Sequence, residues 1–273
     1  MAVKKILFVN QEIHPYLPAN EISSLNKTLP QSLHGKGYEV RTFMPKFGSV
    51  NERRNQLHEV IRLSGLNIEI NDNDHPLILK VASMQPARIQ VYFIDNDDYF
   101  TKLDSDIDVF GSNREDNDER AIYFARGTME TVKKLRWEPE FVQISGWISA
   151  LSPAYMRLMT KSDGLFENSK IIYCVEPHNP DLAPFNPEIL RKLKEDGIDP
   201  EYADKFADEK FDVNTLHKMA IELSHGVVFL TDEPDPEILA FVEEKGIPYI
   251  TKETAQKGKP EFIELYAKIA ESK

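Results

Sequence analysis

The chain switches repeatedly between two hydrophobic periods. Ile6-Leu7-Phe8-Val9 is a continuous apolar run after a polar start, the pattern of a strand buried on both faces. Pro15 and Pro18 then punctuate a loop, since each lacks an N–H and restricts the residue before it. Apolar residues recur at Ile22, Leu25, Leu29 and Leu33, a helical spacing with one face for a core. Pro30 inside that stripe predicts a kink, or a break and restart. Gly35 and Gly37 close the helix, and residues 38–44 alternate as a second strand. A strand–helix–strand opening of this kind predicts a parallel sheet.

The same two periods continue. Strands are predicted over 58–63, 77–82 and 89–94, with turn residues between them, as a small antiparallel addition. Residues 118–136 read as a helix with the stripe Ile122, Ala125, Met129, Val132 and Leu135. A strand over 141–145, a helix over 148–159 and a strand over 170–175 follow. The charged stretch 185–209 predicts short helices over 187–195 and 200–206. A helix over 213–223, a buried strand over 226–230, a helix over 236–244 capped by Asp232 or Asp235, a short strand over 247–250 and an amphipathic helix over 260–270 complete the chain. Strands alternating with helices imply an α/β fold, a Rossmann-like, doubly wound and mostly parallel sheet. One domain is expected across 1–273, with a core over 4–240 and a C-terminal strand and helix over 241–273.

Composition narrows the function. The 273 residues are 41% hydrophobic, an ordinary globular content. No apolar run approaches the roughly 18 residues a membrane helix needs. The start, Met-Ala-Val-Lys-Lys, has no signal-peptide cleavage pattern, and a cytoplasmic location is expected. Cys174 is the sole cysteine, so no internal disulfide forms. A net charge of −12 argues against a general nucleic-acid binder, which needs a basic face. Acidic residues concentrate over 71–74, 95–98, 104–108 and 115–119, but without the glycine and glutamate spacing of an EF-hand. They read as solvated loops, and no metal is expected. His34, His58, His75, His217 and His225 show no ligand spacing, and no Gly-x-Ser-x-Gly elbow is present.

The order of residues in the opening block resembles the N-terminal domain of bacterial starch and glycogen synthases. Glu12, Pro15, Tyr16, Leu29, Pro30, Gly37, Val40, Met44, Pro45, Phe47 and Gly48 stand in that family's order. Phe110-Gly111, Asp116-Asn117, Glu119-Arg120 and Phe124-Ala125-Arg126 are similar to a second family block. Trp137-Glu138-Pro139-Glu140-Phe141-Val142 and Ala150-Leu151-x-Pro153-Ala154-Tyr155 are similar to a third and fourth. The resemblance runs from residue 4 to about 240. It implies the N-terminal half of a two-domain, GT-B type transferase that moves glucose from a nucleotide sugar to the end of an α-glucan.

Several residues that the family uses for chemistry are replaced. Its Lys-x-Gly-Gly-Leu loop reads Pro18, Ala19, Asn20, Glu21 and Ile22. A positioned cation and close backbone N–H groups would stabilise a departing diphosphate, and this loop offers neither lysine nor glycine. The family's His-x-His-Asp-Trp-His-Thr segment reads Gln143-Ile144-Ser145-Gly146-Trp147-Ile148-Ser149, so a serine stands for the active-site histidine. The family's Thr-x-His-Asn motif corresponds either to His178 and Asn179 after an insertion, or to Glu176 and Pro177 without one. No second, nucleotide-binding domain is expected.

These substitutions predict a binding or regulatory module with no catalytic residue and no cofactor, acting on an α-glucan or a protein partner. The alternatives are a glucosyltransferase half completed by a separate chain, and a protein-interaction scaffold. The candidate cleft lies at the C-terminal strand ends and is lined by Gln11, Glu12, His14, Ser145, Trp147, Glu176, His178 and Asn179. Trp147 reads either as a sugar-stacking platform or as core at a strand–helix junction. His178 and Asn179 read either as ligand groups or as an ordinary loop histidine and turn asparagine.

Overall fold

The computed structural model of the protein describes residues 4–102, 108–207 and 210–271. Most of the acidic run over 104–108 therefore lies outside the described residues.

The apolar run at the N-terminus forms β1 (Lys4–Asn10), whose last five residues are buried. It is flanked in parallel by β2 (Tyr38–Pro45) on one side and β7 (Phe141–Ser145) on the other. Beyond β7 the sheet continues in parallel through β8 (Lys170–Val175), β9 (Gly226–Phe229) and β10 (Tyr249–Ile250). Beyond β2 it continues through β6 (Ile89–Asp95), which is parallel to β2, and then through β5 (Asn73–Met84), antiparallel to β6. The two-residue β3 (His58–Glu59) and β4 (Leu66–Ile70) both pair antiparallel with β5. The strand order is therefore β10-β9-β8-β7-β1-β2-β6-β5-β3.

This order corrects several expectations. The predicted antiparallel pairing is borne out for β3, β5 and β6, but β6 also joins the main sheet in parallel with β2, and β4 is a further partner of β5 outside the predicted strands. The strand expected over 58–63 stops at Glu59, because Val60 and Leu63 turn over instead, with Leu63 N–H bonded to the Val60 carbonyl at 2.9 Å. Pro30 does not break its helix: α1 runs from Glu21 to Leu33. Pro30 forgoes one i−4 hydrogen bond, but it lies so near the end of α1 that only three helical residues follow it, and His34 N–H closes the helix by donating to the Pro30 carbonyl.

Helices cover both faces. On one face lie α1 and the C-terminal α9 (Lys259–Glu271), which touch each other. On the other lie α2 (Asn117–Lys134), α3 (Ser152–Asp163) and, after the short helices α4 (Ile189–Glu195) and α5 (Pro200–Asp204), α6 (Val213–Glu222) and α7 (Pro236–Glu244). The small α8 (Lys252–Gln256) lies between β10 and α9. Asp235, rather than Asp232, caps α7 by accepting from Glu237 N–H at 2.8 Å. The helix expected from Ile148 begins at Ser152, since Trp147–Ser149 form one tighter turn first.

The chain leaves β1 towards β2 on one side and later returns to β7 on the other. The reversal of direction lies between β1 and β7, and that is where a doubly wound sheet opens a crevice at its strand ends. Arg120, fully buried on α2, lines one side of this region: its guanidinium lies 5.7 Å from the Trp147 ring centre and 5.8 Å from that of Phe100. It donates to the carbonyls of Tyr99 at 2.9 Å and Gly111 at 3.0 Å, tying two loops to the helix. Among the described residues no helix is long and apolar enough to cross a membrane, and no group of His, Cys, Asp and Glu is placed to hold a metal ion.

Candidate functional site

At the C-terminal edge of the sheet, Asn10, Ser145 and Cys174 are register partners across β1, β7 and β8. Partners in parallel strands present their side chains on the same face, and residues two further along return to it. Glu12 and Glu176 stand two residues beyond Asn10 and Cys174. The alternation of strands thus brings two carboxylates, a hydroxyl and an amide to one face of the switch point.

Backbone geometry fixes the details. Gln11 N–H donates to the Ser145 carbonyl at 3.0 Å, extending the β1–β7 pairing one step past the strands. Gly146 then turns with φ of +93°. A Cβ there would lie 2.5 Å from Gln11 Cβ and 2.9 Å from Gln11 Oε1, so glycine serves both the conformation and the close approach. Read from the chain alone, Gly146 marks the loss of an acidic group; in the fold it is what lets the turn close.

Glu12 is buried, and its Oε2 accepts from Asn20 Nδ2 at 2.6 Å. Its backbone carbonyl accepts from Asn26 Nδ2 on α1 at 3.0 Å. Glu176 as a residue is partly exposed, but its carboxyl end is enclosed, and Oε1 accepts from Ser145 Oγ at 2.6 Å. Burial pushes the Glu176 carboxyl up to about 8; the Glu12 charge adds to this, and the Ser145 hydrogen bond opposes it. Burial also raises Glu12, with the Asn20 hydrogen bond opposing. Near neutral pH the pair therefore holds a proton, and titrates as a unit.

The loop in place of the family's lysine and glycines has a local job. Asn20 Oδ1 accepts from Ser23 N–H at 2.7 Å, and Ser23 Oγ accepts from Asn20 N–H at 2.9 Å, a reciprocal cap on α1. The first turn of α1 also carries Glu21, paired to Lys252 at 2.8 Å, and Lys252 reaches Asp232 at 2.7 Å. The helix end that would meet an anion is thus capped and bears a carboxylate.

The remaining candidates fall into place differently. Trp147 is only 4% exposed, with Arg120 on its ring and Phe185 packed against it at 5.9 Å, so its faces are occupied and it is core. His14 is half-buried beside the α1 cap, its N–H donating to the Ser23 carbonyl at 3.0 Å. Asn179 donates to Ser112 Oγ at 3.0 Å and accepts from Asp181 N–H at 3.0 Å, the turn role that suits asparagine. His178 is exposed and opens onto a separate cavity of about 260 Å³ beside Phe185, Phe211 and Asp212. The structure therefore brings Gln11, Glu12, Ser145 and Glu176 together, and sets Trp147, His178 and Asn179 apart from them.

Sequence reasoning missed Asn10. It is fully buried, and neither side-chain polar atom finds a partner among the described residues; Gln11 Oε1 is likewise unpartnered. A polar residue closing an otherwise apolar strand was the available signal. With two carboxylates, a hydroxyl and two amides, the arrangement supplies both donors and acceptors to a polar, uncharged ligand.

A parallel sheet that reverses direction beside β1, with its polar residues gathered at the strand ends, is a doubly wound α/β architecture. The chain belongs to the starch synthase catalytic domain family, whose family model matches residues 5–247. It is similar to the glycogen synthase of Chlorobaculum parvum, 31% identical over 78% of this chain and 43% of that protein. It is similar also to the glycogen synthase of Chlorobium limicola, 32% identical over 69% of this chain and 39% of that protein. The chain thus spans less than half the length of these relatives. In fold it matches the catalytic domain of starch synthase IV from Arabidopsis thaliana, solved bound to ADP and acarbose. The TM-score there is 0.70 at 16% identity, covering 92% of this chain and 51% of that one.

Proposed function

We propose that the switch-point site binds the end of a neutral, polyhydroxylated ligand of the α-glucan class, and that this chain acts as a glucan-binding or regulatory module without transferring glucose. The observation carrying this reading is the Glu12–Ser145–Glu176 cluster, with Asn20 of the substituted loop spent on Glu12 and on the α1 cap. Carboxylates, amides and a hydroxyl hydrogen-bond well to sugar hydroxyls. The same carboxylates repel a diphosphate, and the loop provides no cation to offset them. Ser145, where the family resemblance places a histidine, is engaged with Glu176. A cytoplasmic location fits such a role.

The test is calorimetric titration with a maltooligosaccharide and, separately, with ADP-glucose, alongside a radiolabelled transfer assay on glycogen. Saturable maltooligosaccharide binding that weakens about tenfold or more in Glu12→Gln supports the proposal, since a charged hydrogen-bond partner is removed. Measurable glucose transfer by the purified chain overturns it.

A second reading, a glucosyltransferase half completed by another chain, is favoured by the family match and by the relatives named glycogen synthase. It predicts transfer activity on mixing with a nucleotide-binding partner. An interaction scaffold has less support: among the described residues the large exposed hydrophobic side chains are Ile61 and Tyr249, which form no patch in sequence.

A further inference from the structure

A cavity of about 510 Å³ opens on the α1 side of the sheet, over the end of β5, and none of the switch-point carboxylates lines it. Its walls include Tyr16 from the loop after β1, Lys27 from α1, Arg54 from the turn before β3, His58 from β3, and Met84 and Gln85 from the end of β5. No aspartate or glutamate is among its lining residues. That is unusual for this chain, which carries 45 acidic residues against 33 basic ones. The cavity of about 460 Å³ between the β4–β5 hairpin and α4, for comparison, mixes both signs: Glu69, Asp72, Glu195 and Asp196 line it beside Arg126 and Lys192.

The two cations are also uncommitted: among the described residues no ion pair engages Lys27 or Arg54. Glu52, the carboxylate nearest Arg54 in sequence, is held by Lys46 at 2.8 Å and Lys80 at 2.7 Å. A concave surface lined by one sign of charge focuses its field and concentrates ligands of the opposite sign. Arginine offers a planar fork that matches a phosphate, and lysine a mobile point charge. The amides of Asn55 and Gln85 add neutral hydrogen-bonding groups, and the volume suits a small organic molecule rather than a lone ion.

We propose that this cavity binds a phosphorylated small molecule, with its phosphate held by Lys27 and Arg54. The proposal is independent of what the switch-point site binds.

The experiment is isothermal titration of the full chain at about 0.15 M salt, where isolated surface charges are well screened. The probes are inorganic phosphate, glucose 1-phosphate and AMP, which separate a bare anion site from a sugar-phosphate or a nucleotide site. Saturable binding of at least one probe is expected, weakened about tenfold or more by Lys27→Glu and by Arg54→Glu. Arg157→Glu, an exposed cation on α3 across the sheet, is expected to leave it unchanged. Both reversed residues are at least partly exposed, so their variants keep the fold, checked by an unchanged circular dichroism spectrum. Failure of all three probes to bind, binding that survives both reversals, or an equal loss in Arg157→Glu each overturns the proposal.

Discussion

Gly146 shows how a single residue changes meaning between chain and fold. Its φ of +93° and the 2.5 Å approach to Gln11 Cβ leave no room for a side chain. Gly146→Ala is expected to destabilise the protein by about 2–3 kcal/mol, since it combines a disfavoured backbone region with a clash against Gln11. Urea unfolding followed by fluorescence measures it. A loss below the error of extrapolation would mean that the turn relaxes freely. The sequence shows Gly146 and Ser145 where the family resemblance places an acid and a histidine. It does not show that the serine hydroxyl points to Glu176, because that contact crosses from β7 to the loop after β8.

At the scale of elements, much was legible. The helical stripe of α1 and the alternation of β2 identify both elements, and α7 spans the range its proline and acidic cap imply. The elements missed have physical reasons. β4 does alternate, with Ile68 and Ile70 buried between exposed neighbours, but it runs directly into the polar turn at Asn71-Asp72 and reads as loop. Its partner β5 supplies the pairing that makes it a strand. The α8 helix is short and Ala255 is its one buried residue, so its pattern carries no stripe. The α1 terminus combines a local and a distant role, because Asn20 both caps the helix and holds Glu12. Asn20→Ala is expected to cost about 1–2 kcal/mol, the loss of a cap plus a hydrogen bond to a buried carboxyl, measured by chemical denaturation. Asn20→Ser, which retains capping but is too short to replace the amide contact, is expected to recover part of it.

For the whole molecule, the two faces of the sheet are closed by different parts of the chain. Tyr173 on one face meets His217 of α6 at 2.8 Å, while Gln143 on the other accepts from Tyr266 of α9 at 2.7 Å. The enclosure this produces sets the protonation of the carboxylate pair and hence a global pH dependence. Glu176 has a higher pKa folded than unfolded, so the native state binds its proton more tightly. That contribution is complete below the ordinary value of 4.5 and is lost as pH rises through about 8. Stability is therefore expected to fall between these values by several kcal/mol. Glu176→Gln, uncharged throughout, is expected to flatten this decline in denaturation curves recorded across the range. An unchanged slope would show that the carboxyl stays solvated.

The sequence by itself determined the periodicities, and with them the strands, the helices, the α/β class and the family, because each is written in residues close together along the chain. It also determined which family groups are replaced. Only the tertiary structure decided which polar residues meet. Glu12 and Glu176 come together because β1, β7 and β8 are adjacent in parallel register, and Trp147 is withdrawn because Arg120 and Phe185 occupy its faces. The cationic cavity likewise gathers residues from α1, β3 and β5, whose proximity follows from strand order and not from any local pattern.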